Sequence, residues 1–128
     1  MVFLLFCSRS EFTDDTILTI VIADVLLHDL DIIDTLKEYS RKYPVGSYGR
    51  SYKRRVLSDS REPYNTWGNC SAMRTSPIGF FCYKESDVSE AAKMCAQVTH
   101  NRPKSISGDQ STTLRIFLAR QKASKNEI

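Results

Sequence analysis

The stretch Phe12-Thr13-Asp14-Asp15-Thr16 stands directly before a long apolar run, residues 17–27, and the two together decide the fold. Thr13 is a favourable N-cap residue, which places Asp14 and Asp15 in the first turn of a helix. The run behind them is apolar on nearly every helical face, as in helices buried at the centre of a protein. Its many Ile and Val residues are also compatible with a buried strand, but its length and its cap favour a helix.

The two adjacent carboxylates have two readings. Carboxylates at this point suit a hard cation such as Mg²⁺, which takes oxygen ligands and is often held by only one or two acidic side chains. Acidic residues in a first turn also offset the positive end of the helix dipole, by roughly 0.3–1 kcal/mol each. Asp14 and Asp15 are therefore candidate metal ligands or simple capping residues, and Asp24 within the run needs a partner if it is enclosed.

The next segments also favour helices. Apolar residues recur along residues 31–43 at spacings of three and four, which predicts an amphipathic helix. A short helix is expected near residues 51–57. Residues 69–81 look irregular because of their proline and glycine. Weak strand alternation occurs only in residues 1–6 and 78–83.

The second half of the chain adds two more predicted helices. Residues 87–90, Asp-Val-Ser-Glu, resemble a capping box that opens a helix through about residue 98. A last helix is expected over about residues 106–120, followed by a polar tail. The fold class is thus all-α, a compact multi-helix orthogonal bundle, in a single domain over residues 1–128.

Composition indicates an ordinary soluble domain. The chain has 128 residues, 41% hydrophobic and 26% charged, with a net charge of +3. No apolar run approaches a membrane span, and residues 1–7 make a poor signal peptide. Basic residues gather between Arg41 and Arg61, where a phosphate contact competes with the commoner solvated face, so a nucleic-acid partner is not favoured.

The cysteines point to a reducing compartment. They are widely spaced, without a CxxC pair or zinc-finger spacing, so we expect free thiols and a cytoplasmic location. The four positions are Cys7, Cys70, Cys82 and Cys95.

A second informative segment is Trp67-Gly68-Asn69-Cys70-Ser71-Ala72-Met73-Arg74. Its small residues allow a backbone to approach a ligand closely. Ser71 and the following N–H groups could face an anion if a helix starts there. Arg74 could bind a phosphate through two hydrogen bonds or lock the loop internally. A tight turn followed by a helix is the alternative without a ligand.

The third segment is Thr99-His100-Asn101, at a corner between two helices. A histidine at such a corner either contacts a ligand or serves as a hydrogen-bonded structural residue. Neither histidine of the chain is placed for zinc.

These segments occur in a fixed order with Thr75-Ser76-Pro77-Ile78-Gly79 and Ile116-Phe117-Leu118-Ala119-Arg120. In that order they closely resemble the ADP-ribosylglycohydrolase family, including the dinitrogenase reductase-activating glycohydrolases. The likeness runs from about Phe3 to Arg120. Several linked motifs are far more specific than any one of them.

The resemblance implies an all-helical enzyme that hydrolyses the glycosidic bond at C1″ of an ADP-ribosyl group with two divalent cations, Mg²⁺ or Mn²⁺. It does not identify a catalytic residue, but it gives residues for both kinds of site. The implied metal ligands are Thr13, Asp14 and Asp15. The implied substrate contacts are Gly68, Asn69, Ser71, Met73, Arg74 and His100.

The departures from the family pattern concern mainly the metal site. The family's remaining metal ligands come from an earlier helix and from a later Asp-x-Asp-Thr/Ser segment, and Asp29-Leu30-Asp31 does not correspond to the latter. Cys70 replaces a usual glycine, while Arg102 and Lys104 stand where His and Glu are common. The chain therefore resembles the N-terminal and middle part of the fold, with half of the metal site.

Two functions follow from this pattern. One is hydrolysis of an ADP-ribosylated protein or of a small ADP-ribosyl compound. The other is a catalytically inactive, truncated homologue that binds ADP-ribose or is a gene fragment. A partial fold would expose apolar surface, so we also expect self-association or a companion chain, and no membrane contact.

Overall fold

The computed structural model describes residues 10–65, 67–126 and 128. These residues form six α-helices and one turn of 3₁₀ helix, without a strand, so the all-α prediction is confirmed. The helices are α1 (Asp14–His28), α2 (Ile32–Lys42), α3 (Arg50–Val56), α4 (Ser76–Phe81), α5 (Glu85–Gln97) and α6 (Pro103–Arg120), and the 3₁₀ turn is Ala72–Arg74.

Helix α1 runs between two apolar clusters and contributes to both. Leu18, Val21 and Val25 belong to the first cluster, with side chains from α2 and α3. Ile22 belongs to the second, with side chains from α4, α5 and α6. Full burial of such a side chain contributes about 1.5–3 kcal/mol. The apolar run at the start of the chain therefore holds the two halves of the fold together.

Burial of α1 on all sides is not observed. Ile20 is 50% exposed and Leu27 is 69% exposed. Phe80 and Phe81 of α4 lie beside this stripe and are also exposed, at 61% and 48%. We call these four residues the apolar face. The sequence pattern predicted a helix enclosed on every side, whereas the described residues cover only part of it.

Asp24, which interrupts the apolar run, has the partners that its position requires. Tyr39 of α2 donates its hydroxyl hydrogen to the Asp24 carboxylate at 2.9 Å, and His28 lies 2.8 Å from the same group. At the next helix start, the Asp31 side chain accepts from the backbone N–H of Asp34. Asp31 is thus an N-cap, as the predicted boundary of α2 implies.

The expectation of irregular structure over residues 69–81 is wrong. A 3₁₀ turn and α4 occupy most of this segment, and Pro77 is accommodated because it lies in the first turn of α4, where no N–H is needed. Gly79 is required for another reason: a Cβ there would lie 2.8 Å from Ile116 Cγ2, so α4 and α6 cross closely. The weak strand pattern at residues 78–81 is helical as well, and residues 1–6 lie outside the described part.

Two helix starts also differ from the prediction. Helix α5 begins at Glu85 with Lys84 as its N-cap residue, so Asp87 lies inside the first turn and does not form the predicted capping box. Helix α6 begins at Pro103 rather than near residue 106, because proline is favourable in a first turn. None of the helices in the described part of the chain combines the length and apolar character that a membrane span requires.

Candidate active site

A pocket of about 420 Å³ opens where the start of α1, the start of α3 and the segment after Trp67 meet. Four of the nine predicted site residues line it: Asp14, Gly68, Asn69 and Met73. The other residues that line the pocket were not among the predicted site residues. Those are Leu18, Ser47, Gly49, Arg50, Ser51, Tyr52 and Tyr64, together with Cys70.

One rim of the pocket is the acidic edge, which we define as Thr13, Asp14 and Asp15. Thr13 has the extended backbone of an N-cap residue, but its side chain caps no backbone N–H. Its hydroxyl instead donates to the Asp15 carboxylate at 3.2 Å, and Asp15 is exposed. Partial burial, and then the Asp15 charge, raise the pKa of Asp14 above its usual range. Only Asp14 of the three lines the pocket.

The facing wall is the pocket loop, which we define as residues 68–74. Its anchor is Arg74, whose side chain is completely buried. The Arg74 guanidinium donates to the carbonyl of Cys95 at 2.8 Å and to the hydroxyl of Thr99 at 2.9 Å. Arg74 thus fixes the loop to the end of α5, which is the internal lock considered from the sequence.

Ser71 is a second anchor of the pocket loop. Its side chain is 2% exposed, and its hydroxyl donates to the Asp109 carboxylate of α6 at 3.1 Å. The helix that starts after Ser71 is a three-residue 3₁₀ turn. Ser71 therefore faces the interior here, and the anion contact considered for it from the sequence is not what its side chain makes.

His100 lies behind the pocket wall and is fully buried. Its Nδ1 is 2.9 Å from the Thr99 hydroxyl, and its Nε2 is 3.8 Å from the sulfur of Cys70. Burial, with the charges of Arg74 and Arg102, lowers the pKa of His100 to about 4, so the ring is neutral near pH 7. His100 is hydrogen-bonded inside the protein and supports Cys70, which lines the pocket.

Cys70 does not have the environment of a nucleophile. Burial raises the pKa of its thiol, and Tyr64 lies 3.1 Å away with its hydroxyl. A thiol with a raised pKa stays protonated near pH 7 and reacts slowly. Cys70, Cys82 and Cys95 are free, as predicted, and Cys7 lies outside the described residues.

Tyr52 and Tyr64 form the aromatic floor of the pocket and belong to a longer chain of aromatic rings. The ring centroids of Tyr48 and Tyr52 are 5.3 Å apart in a stacked arrangement, and those of Tyr52 and Tyr64 are 6.4 Å apart. Tyr64 meets the ring of His100 edge-on at 5.3 Å. These contacts are typical favourable ring geometries and join α3 to the corner after α5.

A match to a family model shows which family of proteins this chain is related to. The model of the family described as ADP-ribosylglycohydrolase matches residues 3–127, nearly the whole chain. The chain belongs to the ADP-ribosylglycohydrolase family. A comparison with curated proteins finds no match. Membership supports a glycohydrolase-like function and implies ADP-ribosylated substrates in general.

The residues of this ADP-ribosylglycohydrolase domain do not fit a complete two-cation centre. The acidic edge offers two carboxylates and one hydroxyl, and that hydroxyl is engaged with Asp15. Within residues 10–65, 67–126 and 128, no group of three or more His, Cys, Asp or Glu side chains is placed to hold a metal ion. Two divalent cations in a defined geometry need more ligands than one carboxylate pair.

The basic residues between Arg41 and Arg61 do not form one surface. Arg41, Arg55 and Arg61 have internal partners: two backbone carbonyls, and the Asp31–Asp34 carboxylate pair. Arg50, Lys53 and Arg54 of α3 are exposed. Of these, Arg50 lines the pocket and is its one cationic side chain among the described residues.

Sequence reasoning missed three residues of this region. Arg50 was counted only as part of the basic cluster. Its signal was its position at the start of a helix, two residues before Tyr52 of the aromatic floor. Tyr64 was not singled out, because it lies before the motif that begins at Trp67. Asp109 carried no signal, since a single aspartate in a polar helix start is usually exposed.

Proposed function

We propose that this pocket binds the ADP-ribosyl group of an ADP-ribosylated substrate and that the protein hydrolyses the glycosidic bond of that group. The observation that carries the proposal is the charge arrangement of the pocket, with the Asp14 carboxylate on one side and the Arg50 guanidinium on another. Its volume of about 420 Å³ is within the usual range for small-ligand sites.

The pocket loop supports a role for its backbone in binding. Gly68 and Asn69 are exposed at the pocket, and the loop behind them is held by Ser71 and Arg74. A loop fixed in this way loses little freedom when a ligand binds, which favours affinity. In this proposal Gly68, Asn69 and Met73 contact the ligand, whereas Ser71, Arg74 and His100 act by holding the wall.

Arg50 supplies the positive charge that a diphosphate requires. Its guanidinium is solvent-exposed at the pocket and has no hydrogen bond or ion pair with the described residues. Planar guanidinium groups bind phosphate oxygens through paired hydrogen bonds. Arg50 therefore orients the diphosphate, while the Asp14 carboxylate on the α1 side accepts hydrogen bonds from ribose hydroxyls.

Hydrolysis adds water across the bond between C1″ and the acceptor atom, and the family's chemistry at this step uses divalent cations. We derive no step through them, because the described residues do not complete that centre. Binding of Mg²⁺ or Mn²⁺ at Asp14 and Asp15 remains a prediction. A full cation site would take further ligands, for which a companion chain is one source.

A second candidate function is binding of ADP-ribose without turnover. The specific observation in its favour is that no third acidic, His or Cys side chain joins the acidic edge among the described residues. A pocket with an anchored loop and a single cation can retain a ligand without the groups that stabilise a developing charge at C1″.

Calorimetry with ADP-ribose, with and without Mg²⁺, tests the binding proposal. We expect micromolar affinity, and at least tenfold weaker binding for Arg50→Gln, because a charge-assisted phosphate contact is lost. Arg54→Gln is the matched control: it removes an exposed arginine of the same helix that does not line the pocket. Equal affinity of the two variants, or no binding by the wild type, would contradict the proposal.

Release of ADP-ribose from ADP-ribosylated arginine and serine peptides then separates the two candidates. Turnover that Asp14→Asn abolishes supports the hydrolase. Binding without release, at any Mg²⁺ or Mn²⁺ concentration, supports the binding module and overturns the hydrolase.

A further inference from the structure

Asp109 of α6 is a buried carboxyl group behind the pocket loop. It is 2% exposed. Its Oδ1 accepts the hydrogen bond from Ser71 at 3.1 Å, whereas its Oδ2 has no hydrogen-bond partner in the described structure. Burial of a carboxylate oxygen without a partner is costly, so this group is under electrostatic strain when it is ionised.

Few titratable groups face Asp109. Arg74 faces it from the 3₁₀ turn, and Cys95 faces it from α5. Helix α4, which packs against α6, carries no titratable side chain. The Arg74 charge acts on Asp109 without a direct ion pair, and Nε and Nη1 of Arg74 also lack partners. Asp109 and Arg74 are thus two buried, opposite charges that attract each other without forming an ion pair.

Burial raises the pKa of Asp109 to about 6, and the Ser71 hydrogen bond and the Arg74 charge offset only part of this effect. The neighbouring groups titrate elsewhere, because burial lowers the pKa of His100 to about 4 and raises the pKa of the Cys95 thiol. Asp109 is therefore the group behind the loop that changes charge between about pH 5 and pH 7.

We propose that Asp109 is a positioning residue: when ionised it ties the pocket loop to α6 through Ser71, and when protonated it loosens this tie. Ser71 directly follows Cys70 and lies two residues after Asn69, both of which line the pocket. A shift at Ser71 therefore reaches the ligand-contacting wall. The ligand part of this inference rests on the proposed function, whereas the movement of the loop does not.

The physical reason is the change in the Ser71 hydrogen bond. A hydrogen bond to a carboxylate is about twice as strong as one to a neutral carboxyl group. Protonation also removes the attraction between Asp109 and Arg74, the other anchor of the loop. Both changes weaken the hold of α6 on the pocket loop.

Stability and affinity should then respond to pH in opposite directions. Because the folded pKa of Asp109 is raised above its usual value of 3.8, its ionisation disfavours the folded state. Its contribution to stability is full below the unfolded pKa and is lost as the pH rises through about 6. Acidification from pH 7 therefore stabilises the fold while it loosens the pocket. A residue with a purely structural role would change the stability with pH and leave the ligand affinity unchanged.

Trp67 provides a test that needs no ligand. It is the single tryptophan of the chain, adjoins the pocket loop, and has the Arg102 guanidinium 4.5 Å from its ring centroid. In a titration from about pH 7.5 to about pH 5, we expect a fluorescence transition with its midpoint near 6 in the wild type and none in Asp109→Asn. His28 is retained in both proteins and cannot account for a difference.

Ser71→Ala is the second variant, since it removes the tie and leaves Asp109 in place. Its fluorescence at pH 7 should already be shifted toward that of the acidified wild type. A wild type without a transition, or a transition that persists in both variants, would overturn the proposal.

Calorimetry with ADP-ribose at pH 7 and pH 5 extends the test to the pocket. We expect affinity to fall about fivefold on acidification of the wild type and to stay constant in Asp109→Asn, as the loss of a charge-assisted bond predicts. An unchanged wild-type affinity would overturn the coupling to the pocket. If no form binds ADP-ribose, the proposed function fails, and the Trp67 titration still decides the role of Asp109.

Discussion

The two sides of the pocket are held in different ways. The pocket loop is fixed from behind by buried polar side chains, with Arg74 and Ser71 bonded to α5 and α6. The acidic edge has no such support: Thr13 bonds only to its neighbour Asp15, which is exposed to solvent. The pocket loop therefore presents a fixed surface to a ligand, whereas the side chains of the acidic edge can change position when a ligand binds.

This difference separates stability from recognition. Substitutions in the anchors of the loop should lower the stability of the fold, because they leave buried groups without partners. Substitutions at the acidic edge should leave the fold intact and affect only what binds there.

Arg74→Met should lower the free energy of unfolding by about 2–3 kcal/mol, since it deprives the buried Thr99 hydroxyl and Cys95 carbonyl of a charged donor. Urea unfolding followed by circular dichroism measures the change. Arg54→Met, on an exposed face, should stay within about 0.5 kcal/mol. Similar losses for the two variants would show that the loop anchor is not a special point of stability.

The N-cap residues of α1 and α2, Thr13 and Asp31, allow a second comparison of stability. Asp31→Ala should cost about 1 kcal/mol, because the Asp31 side chain accepts the Asp34 N–H and meets Arg61. Thr13→Ala should cost only a few tenths of a kcal/mol, since the Thr13 hydroxyl makes no cap hydrogen bond. Thermal unfolding midpoints of both variants give the comparison, and a larger loss at Thr13 would contradict the view of the acidic edge as weakly held.

The third test concerns self-association of the protein through the apolar face. Its exposed side chains, Ile20, Leu27, Phe80 and Phe81, are more than a single scattered hydrophobic residue. Self-association remains a prediction, and light scattering should show a mass that rises with concentration. Leu27→Lys should reduce this rise without loss of stability. A wild type that stays monomeric at every concentration would refute it.

Asp14→Asn should have the smallest effect on the fold, within about 0.5 kcal/mol, because the carboxylate is only partly buried. It should nevertheless weaken Mg²⁺ and ADP-ribose binding, which calorimetry measures directly. If the variant binds both ligands as the wild type does, the carboxylates of the acidic edge only offset the helix dipole at the start of α1, which is the second of their two readings from the sequence.

The residues that were predictable from the sequence are those with local signals. The Thr13–Asp15 start and the apolar period of residues 31–43 placed α1 and α2 correctly. Local signals failed where tertiary packing decides. Residues 76–81 are helical because α4 packs against α6 through Gly79, and no short pattern announces such a crossing.

The same limit applies to the candidate site. Gly68, Asn69, Cys70 and Met73 of the motif at residues 67–74 line the pocket, but the motif did not indicate which of its side chains face outward. Ser71 and Arg74 point inward because α5 and α6 offer them acceptors, and those acceptors lie 21 to 38 residues away in the chain. The partner of Ser71, Asp109, could not be recognised before the helices were assembled.

The absorbance of the tyrosine rings in the aromatic floor should report the unfolding of the protein at high pH. Burial raises the pKa of Tyr52 to about 12, and it also raises the pKa of Tyr64. Stability from the two buried phenols is present below about pH 10 and is lost as the pH rises toward 12. The phenolate absorbance of these two rings should therefore rise together with the loss of helical structure, which circular dichroism measures on the same samples.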